Sequence, residues 1–158
     1  ETPAGVARVN VRSAAQMFDA VKSALKGSDV FISVAAVADW KARKASDKKI
    51  KKINGRTPTL EFEENPDILA AVARLPDRPS CVGFAAETDD LARNAREKLA
   101  RKNVPLIVGN LGPATFGRDD NSLLLVDARG ERQLASADKL TLARELVREI
   151  ALRLKAQP

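Results

Sequence analysis

Between Lys41 and Lys52 the chain carries seven lysines and arginines and one acid, Asp47. That run is therefore +6, equal to the formal net charge of all 158 residues, and the other 20 basic and 20 acidic side chains cancel. Charge gathered in one place is a local device for meeting anions. Three chemistries suit it. The run can be a solvated face, a patch for nucleic-acid phosphates, or a flap that closes over a triphosphate. In the last case a lysine brings point charge to the transferring phosphorus. Stacking partners for bases are scarce, with only Trp40 and Phe62 nearby and no tyrosine in the chain.

Lys98 and Lys102 are a second anomaly. At about 100° per residue, taking Leu91 as zero, Ala95 lies near +40°, Leu99 near +80°, Lys98 near −20° and Lys102 near +20°. Both lysines fall on the stripe that should face a sheet. Snorkelling or pairing with the helix C-terminus explains them structurally. A pair at i and i+4 aimed at an anionic ligand explains them functionally. Other candidates have plain readings too. Asp39 is a turn acid after an apolar run. Phe84 is a core residue, and Glu87 and Asp89 are helix-start acids. Asn65-Pro66-Asp67 is a helix cap, although a helix N-terminus also receives phosphate.

The chain contains no histidine and one cysteine, Cys81. Imidazole chemistry and His-ligated metals are excluded, a zinc site is not expected, and no intrachain disulfide can form. No apolar run approaches the length of a membrane span. With 44% apolar and 30% charged residues the chain is globular, and cysteine usage places it in the cytoplasm. It begins at Glu1, so it is expected to be processed or cut from something longer.

Elements must position these groups. Val6–Val11 alternates and reads as a strand. Ser13 and Gln16 form a capping box for a helix from Ala14 to Leu25, stopped by Gly27. Asp29–Ala38 suits a parallel strand buried on both faces. Lys49–Ile53 and Thr57–Glu63 are expected to pair as a hairpin around Asn54-Gly55. A helix follows from Pro66 to Leu75. Ser80–Ala86 is a buried strand, and Thr88 or Asp89 caps a helix to Asn103. Pro105–Gly109 is the next strand, and Leu111–Asp120 a turn-rich loop. Ser122–Asp127 and Glu131–Leu134 form an antiparallel pair. Ser136 caps a last helix to Leu154, with Leu140, Val147, Ile150 and Leu154 on one side.

This alternation gives a Rossmann-like, doubly wound α/β fold with a mostly parallel sheet, a C-terminal antiparallel edge and a basic β-hairpin flap. Ligands then sit beyond the carboxyl ends of the strands, where Asp39, Glu87 and Asn110 emerge. The Gly-rich phosphate loop that often follows a first strand is absent. The organisation expected is one domain over residues 1–158, with residues 40–64 as a flap and dimerisation insertion.

The succession AAVADW (Ala35–Trp40), KIKK (Lys49–Lys52), ENPDI (Glu64–Ile68), GFAAET (Gly83–Thr88), RKN (Arg101–Asn103), then Asn110 and FGRDDN (Phe116–Asn121) strongly resembles bacterial phosphopantothenoylcysteine synthetase. In many bacteria that synthetase is fused to a flavin-dependent decarboxylase. The resemblance implies a CTP-dependent ligase of coenzyme A biosynthesis. It would activate 4′-phosphopantothenate as an acyl-cytidylate and join it to L-cysteine. Magnesium is expected with the nucleotide, its protein ligands unknown, and FMN only in a fused decarboxylase domain. Neither nucleic acid nor membrane is an expected partner.

Carried over by motif, the resemblance makes Asp39 and Ser33, Val34 and Ala35 cytidine contacts. Lys49 becomes the lysine needed to form the acyl-cytidylate. Pro66, Asp67, Ile68, Leu69 and Phe84 become further CTP contacts, and Lys98 and Lys102 nucleotide lysines. It also implies a homodimer through the flap that completes each active site. The family's opening strand, glycine-rich turn and Asn-His-Ser-Ser-Gly-Lys-like segment do not occur here, and Leu111 stands where the family has Asp. Residues 1–158 alone are accordingly expected to bind CTP weakly and not to complete the synthesis.

Overall fold

The computed structural model describes residues 2–44, 46, 48–51, 59–111 and 117–155. The chain gathers into two compact units, Glu1–Ala24 with Ala36–Ile68, and Leu25–Ala35 with Leu69–Pro158.

The second unit is built on a five-stranded sheet. Its strands are β1 (Val30–Ser33), β4 (Ser80–Glu87), β5 (Leu106–Leu111), β6 (Asp120–Asp127) and β7 (Gly130–Asp138), adjacent in that order. β1, β4 and β5 are parallel, and β6 and β7 add antiparallel partners. Val82, Leu106, Val108, Leu123, Leu125 and Leu134 face one way and meet Leu142, Leu146 and Ile150 of the final helix, α4 (Lys139–Lys155). On the opposite face two glycines let helices approach the sheet closely. A Cβ on Gly83 would stand 2.6 Å from Leu69 Cδ2, and one on Gly109 would stand 2.8 Å from Leu91 Cδ1. Leu69 belongs to α2 (Ile68–Ala73) and Leu91 to α3 (Leu91–Lys102). Helices therefore cover both faces, as a doubly wound α/β fold requires.

Several expectations shift here. The strand expected over Asp29–Ala38 stops at Ser33, because its ladder with β4 ends at Ser33 opposite Gly83. It is an edge strand, not one buried on both faces, and Val34 beyond it is 60% exposed. α2 begins at Ile68 and ends at Ala73, where Arg78 donates to the Ala73 carbonyl. Asp90, in the left-handed region at φ 42°, precedes α3 in place of Thr88 or Asp89 and makes no side-chain cap bond. At its other end Asn103, also left-handed, closes the helix on Ala100 and Leu99. β7 runs on to Asp138, so Ser136 lies in a strand. Asp138 caps α4 instead, accepting from Thr141 N at 3.0 Å and Thr141 Oγ1 at 2.6 Å. The side of α4 expected to be buried also turns. Leu142, Leu146 and Ile150 face the sheet, while Leu140 and Val147 are each 59% exposed.

In the first unit Ser13 caps the first helix as expected, while the Gln16 side chain reaches past Ser13 to Arg12 and so completes only half of a capping box. Gln16 N donates to Ser13 Oγ at 3.2 Å, and Arg12 N donates to Gln16 Oε1 at 2.8 Å, opening α1 (Ala14–Ala24). Val6–Val11 forms no strand, having no ladder partner among the described residues. The flap hairpin forms from outer segments, β2 (Trp40–Ala42) with β3 (Phe62–Glu64), not from Lys49–Lys51. Lys41 stands opposite Glu63, whereas Lys49-Ile50-Lys51 brings only cations. The Asn54-Gly55 turn lies outside the described residues, as do residues 112–116 of the turn-rich loop.

Candidate functional site

In the second unit, Phe84 and Lys98 come together beside the carboxyl end of β1, within β4 and short of its end at Glu87. Ser33 is the last residue of β1 and pairs with Gly83. One residue on, the Phe84 carbonyl accepts the Lys98 ammonium at 2.7 Å. The Phe84 ring packs with the core under α4. Lys98 is thus neither snorkelling to solvent nor neutralising its own helix end; it is tied to the strand its helix covers. Lys102, one turn further along α3, is half-buried. Val34 and Ala35 follow Ser33 and are exposed. Leu69 is buried, its side chain filling the space over Gly83.

In the first unit, Asp39 and the segment entering α2 come together through their backbones. Asn65 N donates to the Asp39 carbonyl at 2.8 Å, and Asn65 Nδ2 to the Ala38 carbonyl at 2.8 Å. Asn65 is therefore a clamp between two segments and not the helix cap its type suggested. Pro66 beside it is half-buried, Asp67 is exposed and Ile68 is buried. Lys49 is exposed. The hairpin has two unlike faces. Lys41 pairs with Glu63 at 3.1 Å and Arg43 with Glu61 at 3.4 Å on one, while Trp40 and Phe62 lie on the other, 58% and 59% exposed. Two cations of the basic run are thus engaged by carboxylates.

Among the described residues, no group of three or more His, Cys, Asp or Glu side chains could hold a metal ion, and no helix is long and apolar enough to cross a membrane. Cys81 is buried, which pushes its thiol pKa up, with Arg78 opposing.

The parallel strands, the paired Phe84 and Lys98 and the clamp at Asp39 follow the motif order AAVADW, ENPDI, GFAAET. A family model for the DNA/pantothenate metabolism flavoprotein (DFP) C-terminal domain matches residues 1–154. The chain belongs to this family. A coenzyme A biosynthesis bifunctional protein CoaBC from Vibrio parahaemolyticus is 41% identical over 154 residues, covering 94% of this chain and 39% of that protein. This DFP C-terminal domain therefore spans about two fifths of that relative's length. A crystal structure of the C-terminal domain of CoaBC matches with TM-score 0.80 and 29% identity over 99% of this chain and 70% of the other. A Cab2 mutant in complex with phosphopantothenate-cysteine shares the fold, with TM-score 0.68 and 20% identity over 90% of this chain and 51% of that one.

One cluster of this DFP domain escaped the motif reading. Asn94 Nδ2 donates to Glu87 Oε2 and to the Asp89 carbonyl, each at 3.2 Å. Glu87 ends β4 instead of following it. The signal was present in the sequence, since Asn94, Glu97, Lys98 and Arg101 recur at helical spacing on one side of α3. They were overshadowed by the two lysines that broke the apolar stripe.

Proposed function

We propose that this chain is the synthetase part of a phosphopantothenate–cysteine ligase driven by CTP. The family match supports the reading, and one observation carries it at the site. The Lys98 ammonium is held on the Phe84 carbonyl, beside the carboxyl end of β1, and the carboxyl ends of the strands are where open α/β sheets receive ligands. A carboxylate oxygen of 4′-phosphopantothenate attacks the α-phosphorus of CTP. Its bond to the bridging oxygen breaks and pyrophosphate leaves. The amine of L-cysteine then attacks the acyl carbon of the acyl-cytidylate, CMP departs with the bonding pair, and the amine proton passes to solvent.

In this reading Asp39 and Ser33–Ala35 hold the cytidine and Pro66–Leu69 and Phe84 add contacts. Lys98 and Lys102 hold the nucleotide. Lys49 comes in from the flap and neutralises charge gathering on the transferred phosphorus. Magnesium travels as the nucleotide's counter-ion, since the described side chains offer no three-ligand cluster, and no step is assigned to it. A flavin has no role in this chain. The cytoplasm is the site of action. Two chains pair through the hairpin, a reading supported by the exposed Trp40 and Phe62 side chains on one of its faces.

The test uses the protein at its full natural length. Incubation with CTP and 4′-phosphopantothenate should release pyrophosphate, with amide and CMP appearing only when cysteine is added. Lys49→Ala should abolish pyrophosphate release. Equal turnover with ATP, or salt-steep binding to any DNA duplex without turnover, would remove the proposal.

A further inference from the structure

Lys98 also borders a cavity of about 680 Å³ lined by Glu87, Asn94, Glu97, Lys98, Ala100 and Arg101. Its size lies within the ~300–1,000 Å³ of small-molecule sites. Its chemistry is polar and divided along its length. At one end stands Glu87, on the last residue of a parallel strand. Its carboxylate is oriented, because Asn94 gives one amide N–H to Glu87 Oε2 and the other to the Asp89 carbonyl. At the other end stands Arg101, seven residues along α3 from Asn94, a rise of about 10 Å. Glu97 and Lys98 lie between them along the helix, an adjacent acid and base of opposite charge.

An ionised carboxylate only accepts hydrogen bonds, so Glu87 repels phosphate and receives hydroxyl or ammonium donors. A guanidinium only donates, in a fork matched to phosphate oxygens. A ligand lying along this side of α3 must therefore present vicinal donors at one end and anionic oxygens at the other, separated by the length of a ribose with its extended polyphosphate. A free amino acid is too short to engage both. We infer that Glu87 accepts the ribose hydroxyls of the nucleotide and Arg101 meets its distal phosphates, with Asn94 as the positioning residue for Glu87. This extends the nucleotide site beyond Lys98 and Lys102 and rests on the CTP reading above.

The experiment compares binding of CTP, 2′,3′-dideoxy-CTP and CMP to the full-length protein and its variants. The native protein should prefer CTP to the dideoxy analogue by about tenfold to a hundredfold, the scale of hydrogen bonds to a charged group. Glu87→Ala should remove that preference by weakening CTP alone. Asn94→Ala should reduce the preference without abolishing it. Arg101→Gln should narrow the gap between CTP and CMP and leave the hydroxyl preference intact. CTP binding that ignores the hydroxyls, or a Glu87→Ala protein that loses all three ligands equally, would overturn this inference and leave the CTP reading standing. No binding of any cytidine nucleotide by the native protein would overturn both.

Discussion

The Lys98 ammonium donates to the Phe84 backbone carbonyl at 2.7 Å, joining a helix side chain to the strand it covers one residue past the end of that strand's ladder with β1. An ammonium has three donors, and one of them is committed to this carbonyl. Lys98→Met keeps the stem and removes the charge. Loss of this bond to a charged donor should cost about 1–3 kcal/mol, a fall in melting temperature of roughly 2–12 °C for a chain of this size. CTP affinity should fall about tenfold or more. Calorimetry together with a CTP titration checks both. A variant that melts lower and still binds CTP normally would make Lys98 a structural residue only.

Gly83 lets α2 lie against the sheet. A Cβ there would come within 2.6 Å of Leu69 Cδ2 and 2.7 Å of Ile107 Cδ1, both belonging to buried side chains. Gly83→Ala should destabilise by about 1–3 kcal/mol, as overpacking does. Because Leu69 is the neighbour that must move, CTP affinity should drop with it. Adding Leu69→Ala makes room and should restore part of the stability lost to the clash but not the binding. Chemical denaturation of the single and double variants decides; strictly additive losses would show that the two residues do not collide.

Glu149 sits between two guanidiniums. Arg153 Nη1 donates to Oε2 at 2.6 Å and Arg132 Nη1 to Oε1 at 2.5 Å, while Arg153 also reaches Asp127 at 3.0 Å. The Arg153 hydrogen bond, more than any other contact, holds the Glu149 carboxyl below its ordinary range, with burial opposing. A depressed folded-state pKa means that the unfolded chain takes up the proton first. The stabilisation is therefore complete above the unfolded carboxylate value near ~4.3 and is lost as pH falls through the lower folded one. Glu149→Gln should cost about 2 kcal/mol at neutral pH and flatten the stability profile below pH ~4.3. Parallel profiles for the native and variant proteins would show that another carboxylate governs the acid limb.

The parallel strands were legible because Ser80–Ala86 and Pro105–Gly109 are continuous apolar runs, and such runs need both faces covered. Lys98 was legible because it broke an apolar stripe. The errors have local causes. Asn65 looked like a cap because residue type does not distinguish bonding to the following turn from bonding to the Ala38 carbonyl, 27 residues earlier. Ser136 and Asp138 are both good caps, and the choice fell to how far β7 pairs with β6. That choice also set which apolar row of α4 faces the sheet, moving Leu140 and Val147 outward. The Glu87–Asn94 pair joins a strand end to a helix, and only its Asn94 half shares the helical spacing of α3.

The hairpin gives the last test, because its two faces predict opposite outcomes. Lys41–Glu63 and Arg43–Glu61 are exposed ion pairs, and such pairs contribute about 0.2–1 kcal/mol each. Exchanging Lys41→Glu with Glu63→Lys preserves the pairing and should change neither assembly nor activity measurably. Trp40 and Phe62 expose large apolar surface on the other face, and buried aromatic anchors dominate interface energies. Trp40→Ser with Phe62→Ser should leave a folded monomer by sedimentation velocity. If the flap completes the partner's site, pyrophosphate release should collapse together with the dimer and depend on protein concentration in either single variant. A dimer that survives the double substitution would place the contact elsewhere. A monomer with full pyrophosphate release would separate assembly from chemistry and leave Lys49 acting within its own chain.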